Sequence, residues 1–134
     1  MSVRKHTWTI LAGGAAFAFI GTTAAEDTSS ANYILPGCQD FLGLKQPYTG
    51  RQGFCAGTVA GISFVGKDLR RLRPAYPSES DAVTWLYCLD IPEKVTLMQL
   101  VRGVIAYIEA RPARIHERFN DLALEALRTV WPCK

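Results

Sequence analysis

Apolar residues in the last third of the chain recur at helical spacing. Leu97, Val101, Val104, Ile105 and Ile108 fall on one helical face. Thr96 and Gln99 have the form of a capping box, with Val95 and Leu100 placed to act as a hydrophobic staple. Pro112 lacks an N–H and disfavours helical geometry at Arg111, so this helix should stop there. A second stripe follows at once, made of Ile115, Phe119, Leu122, Ala123, Ala126, Leu127, Val130 and Trp131, with Pro132 at its end. So short a connection folds the two helices back on each other. The pattern predicts an αα-hairpin that returns Cys133 to the neighbourhood of Cys88.

Upstream, Phe54, Val59, Ile62, Val65 and Leu69 predict a helix over Gln52–Leu72. Gly53, Gly57 and Gly61 recur along it in steps of four, each costing about 1 kcal/mol relative to Ala inside a helix. The stripe predicts another backbone packed close along it; the alternative is a tolerant, frayed helix start. Ala31–Leu35 and Cys38–Leu42 suggest a short first helix that Pro36-Gly37 interrupts, and Gly43–Gly50 reads as a connection. Pro74–Leu89 begins as a loop, and Ala82–Tyr87 is either strand-like or a last helical turn. The expected fold is all-α, a small disulfide-stapled bundle of about four helices ending in the hairpin.

The first 25 residues read as a secretory signal. Arg4 and Lys5 precede an apolar run from Trp8 to Ile20, and Thr22-Thr23-Ala24-Ala25 offers small residues for cleavage. The run is short for a membrane span, so cleavage after Ala25 is expected over an uncleaved anchor. This leaves one helical domain, residues 26–134, with no membrane attachment. Removing Arg4 and Lys5 lowers the formal charge from +3 to +1. A nearly neutral domain lacks the electrostatic footprint of a nucleic-acid binder.

All four cysteines lie in the exported part, and an even count in an oxidising compartment reads as two disulfides. There is no CxxC, and a single His remains after cleavage, so neither a metal site nor a cofactor is indicated. The long helix separates the two ends of the bundle. Cys38 and Cys55 fall at one end and the hairpin's start and finish at the other. That favours Cys38–Cys55 and Cys88–Cys133 over the crossed pairings.

No catalytic set stands out. A Cys–His nucleophile beside His116 would need a free thiol. Glu117, Asp121 and Glu125 share a predicted helix face, but Arg114, Arg118 and Arg128 interleave with them as on a solvated surface. The chain is therefore read as a non-enzyme that works by binding. Arg70, Arg71 and Arg73, with Lys67, form either a solvated final helical turn or a contact surface for an acidic partner. Trp85 and Tyr87 are the aromatic candidates for partner contact, unless they cover the small core.

Several of these residues also carry a resemblance. Cys38-Gln-Asp-Phe41, Gly53-Phe-Cys55-Ala-Gly57, Cys88 with Pro92, Val95-Thr96, Gln99-Leu100-Val101, Arg111-Pro112, Ile115-His116, Ala126-Leu127 and Trp131-Pro132-Cys133 together resemble the Rap/Tai-type immunity proteins of bacterial type VI secretion systems. The likeness spans roughly Tyr33 to Cys133. It implies a small helical periplasmic protein, often a homodimer, that binds and occludes a peptidoglycan-cleaving amidase effector. Two departures stand out: the family's Cys-x-Pro is stretched to Cys88-Leu-Asp-Ile-Pro92, and the Pro74–Tyr87 insert is long. The competing reading is a periplasmic chaperone-like or structural helical protein without a cognate toxin.

Overall fold

The computed structural model describes residues 25–72 and 88–133. They form four α-helices: α1 (Ala31–Leu42), α2 (Gly50–Leu72), α3 (Leu97–Glu109) and α4 (Phe119–Val130). A 3-10 turn at Pro112–Arg114 precedes α4. The fold is the expected all-α bundle. The expected signal segment, but for Ala25 at its end, lies outside the described residues, as do Arg73 and Ala82–Tyr87.

Helix α3 begins as its sequence dictates. The Gln99 N–H donates to Thr96 Oγ1 at 3.3 Å and the Thr96 N–H to Gln99 Oε1 at 2.8 Å, so the capping box is closed in both directions. The helix ends on Ala110, two residues before Pro112. A second box, not anticipated, starts α2 two residues earlier than expected: the Gln52 N–H donates to Thr49 Oγ1, and Gln52 Oε1 accepts from the Thr49 N–H. Gln52 is almost fully buried, and its Nε2 also donates to the Lys45 carbonyl at 3.0 Å.

Two expectations about helix bounds are corrected. Helix α1 runs unbroken through Pro36. The carbonyl that loses a donor there belongs to Asn32, which is exposed to water, and Gly37 on the inner side packs against α2. The hairpin's second helix does not follow at once. Arg118 is extended and pairs antiparallel with Ser30, so α4 begins only at Phe119. The intervening backbone serves α1: the Ala31 N–H donates to the Glu117 carbonyl at 2.8 Å and the Asn32 N–H to that of Ile115 at 2.7 Å. Those are two of the four N–H groups that a helix start leaves without partners.

The core lies between the helices. Ile34 of α1, Val59 of α2, Val101, Val104 and Ile108 of α3, and Phe119, Leu122 and Leu127 of α4 are all buried, joined by Leu89 and Ile91. Cys38–Cys55 ties α1 to α2, and Cys88–Cys133 ties the approach to α3 to the end of α4. With sequence separations of 17 and 45 residues, loop closure attributes about 3 and about 4 kcal/mol to them.

The inner face of α2 is turned from the expected one: Val59 is buried and Ile62 packs on the core as expected, but Phe54 and Val65 are not inside. Gln52, Cys55, Ala56, Val59, Ser63 and Gly66 point inward, whereas Phe54, Phe64 and Val65 are exposed. Close approach does occur, at other glycines than the predicted ones. A Cβ on Gly37 would lie 2.6 Å from the Arg51 backbone, and one on Gly66 would lie 2.7 Å from Leu89. Around Gly57 and Gly61 no described residue comes within 4 Å of a Cβ, and Gly53 meets only Tyr48 at ordinary contact distance.

This asymmetry sets an expectation. Gly37→Ala should destabilise the oxidised protein by about 1–3 kcal/mol, the cost of overpacking. Gly57→Ala and Gly61→Ala should each stabilise it by up to about 1 kcal/mol. Urea unfolding midpoints measure all three. Equal behaviour at Gly37 and Gly57 would contradict the packing described.

Candidate functional site

The predicted carboxylate face separates into different roles. Glu117 precedes α4, so it does not share a helix with Asp121 and Glu125. Arg114, on the 3-10 turn, joins the two glutamates instead: Nε and Nη2 reach Glu117 at 2.7 and 2.8 Å, while Nη1 and Nη2 reach Glu125 at 3.0 and 2.8 Å. The Tyr107 hydroxyl of α3 also donates to Glu125, and the Arg111 guanidinium stacks 3.6 Å from the Tyr107 ring centroid. This network fastens the hairpin's turn to both of its helices. The Arg114 hydrogen bonds, helped by Tyr107, hold Glu125 down at about 2, and Arg114 lowers Glu117 as well. Both are thus firm carboxylates at neutral pH, unsuited to donating a proton. Asp121 faces Arg118 at 3.9 Å on the exposed surface, and His116 is exposed.

Of the predicted contact residues, Arg70 and Arg71 lie on the last turn of α2. Arg70 is paired with Asp90 across the approach to α3, and Arg71 with Asp68 at 3.4 Å one turn earlier. With Lys67, Ile91 and Glu93 they border a cleft of about 200 Å³. The cations at this end are partly matched by carboxylates of the same chain. Arg73, Trp85 and Tyr87 fall outside the described residues.

A larger cleft, of about 400 Å³, lies at the other end of α2. Tyr33 and Ile34 of α1, Arg51 and Phe54 of α2, and Thr28 and Thr49 line it. The Arg51 guanidinium sits 5.2 Å from the Tyr33 ring centroid. Phe54 turns one side to buried Phe119, with ring centroids 6.3 Å apart, and leaves 42% of its surface exposed. Sequence reasoning missed this place because Phe54 was assigned to the core. The signal was the density of aromatic and Arg residues from Tyr48 to Phe54, a composition typical of interface centres.

Comparison with protein families matches the chain over residues 30–133 to the model for Rap1a immunity proteins. The match takes in all four helices and both disulfides. The chain belongs to the Rap1a immunity protein family. Neither the curated proteins nor the solved structures contain a match. Membership in the Rap1a family supports an immunity role, carried out by inhibition and with a cognate toxin as partner. Two disulfides in a Rap1a domain fit an exported protein.

The Arg114 network has a pH signature. A carboxylate whose folded pKa is depressed contributes stability above its unfolded value and loses it as the pH falls. Glu125 falls from an ordinary value near 4.5 to about 2, so that stability should drain away between those two pH values. Glu125→Gln should be less stable than the parent at pH 7, and the difference should shrink towards pH 2. Thermal unfolding across that range measures it; a constant difference would refute the assignment.

Proposed function

We propose that this protein is exported to the periplasm and there binds and occludes a peptidoglycan-cleaving amidase effector of a type VI secretion system. The family match over residues 30–133 carries the reading. Three further observations support it. Arg4, Lys5, the apolar run and Ala24-Ala25 have the layout of a cleaved signal. Two disulfides suit the oxidising periplasm. Glu117 and Glu125, two of the three carboxylates that could have served acid–base chemistry, are instead engaged with Arg114. Occlusion needs only a rigid surface complementary to the effector's cleft, which a stapled bundle can supply. The homodimer implied by the resemblance is part of the same proposal.

Co-export with the product of the adjacent reading frame tests it. The expected outcome is restored growth of cells that carry the toxin in their periplasm, and a complex that co-elutes on a sizing column. Growth arrest despite co-export, with no complex, would sink the proposal. Binding to many unfolded proteins without preference would favour the chaperone-like reading.

A further inference from the structure

We propose that the cleft between the start of α1 and the first two turns of α2 is where the partner docks, and that the partner places an acidic side chain beside an apolar one there. The inference rests on the immunity reading and names its contact surface. Arg51 is exposed, and among the described residues no carboxylate lies within 4 Å of its guanidinium. Among those residues it is also the only ionisable side chain other than Tyr33 lining the cleft. An incoming carboxylate would meet a matching charge there, and an incoming cation would be repelled. Beside Arg51, the exposed part of Phe54 and the Tyr33 ring offer apolar surface to a neighbouring side chain.

The residues are held ready. The backbone of Arg51 is pressed against Gly37, and Cys55, next to Phe54, is bonded to Cys38. Thr49 and Gln52 close the capping box around it, and Gln52 pins the Lys45 carbonyl. A surface fixed in this way loses little freedom on binding. Arg and aromatic residues at the centre of an interface are also the ones that carry most of its energy. The opposite end of α2 contrasts with this one, because its Arg70 and Arg71 already hold carboxylates of their own chain.

The test uses the mature, oxidised protein and a catalytically inactive variant of the product of the adjacent reading frame, in a calorimetric titration. Arg51→Glu and Phe54→Ala should each raise Kd by about tenfold or more. Arg102→Glu, on the exposed side of α3, should leave it unchanged. Because Phe54 also packs on Phe119, the result is read from Arg51→Glu, with its unfolding temperature confirming an intact fold. If wild type binds and Arg51→Glu binds within about twofold of it, the surface assignment fails while the immunity reading stands. If wild type forms no complex, both fall. If Arg51→Glu dissociates a homodimer yet keeps the effector's affinity, the cleft serves a second copy and the inference is overturned.

Discussion

The close crossing of α1 and α2 dictates the layout of the bundle around it. Gly37 brings the two backbones so close that no Cβ fits between them, and the Cys38–Cys55 bond locks the contact one residue further on. Contact this close leaves no room for large side chains on the inner face of α2. Beyond Gln52 of the capping box at its start, cysteine, alanine, valine, serine and glycine occupy it, and the phenylalanines turn outward. The cleft at Arg51 follows directly, since its two walls are the crossing helices themselves.

The start of α1 shows how backbone polarity shapes the hairpin. Helix N–H groups without partners are costly when buried, and Ala31 is fully buried. Carbonyls of Ile115 and Glu117 satisfy two of them, which requires the chain to stay non-helical there and postpones α4 to Phe119. That detour places Arg114 between two glutamates, one of which, Glu125, also accepts from the Tyr107 hydroxyl. A local need at one helix thus sets the electrostatics of another.

For a protein whose family works through a cognate toxin, rigidity is the useful property. The bundle is stapled at Cys38–Cys55 and Cys88–Cys133, and its ion pairs tie neighbouring elements together. No helix among the described residues is long and apolar enough to cross a membrane. What the fold offers a partner is shape, with a few charges that the described residues leave unmatched.

Local patterns settled the elements whose causes are local. The Thr96–Gln99 box, the α3 stripe and the helix stop before Pro112 were legible because each depends on residues within a turn or two. The inward residues Phe119, Leu122, Ala123, Ala126 and Leu127 of α4 were legible for the same reason, whereas Val130, expected on the same stripe, is exposed at the helix end. The exclusion of Phe54 and Val65 from the face buried by α2, the continuity of α1 through Pro36 and the late start of α4 were not, because each depends on a partner distant in sequence: Arg51 against Gly37, Leu89 against Gly66, Ile115 and Glu117 against the start of α1. Hydrophobicity alone sent Phe54 inward, whereas packing at the crossing sent it to the surface and made it a wall of the cleft. Cysteine count and helical periodicity were enough to specify a disulfide-stapled helical domain. Which side of α2 faces out emerged only when the helices met, because the distance between two helices is a property of both segments and neither encodes it alone.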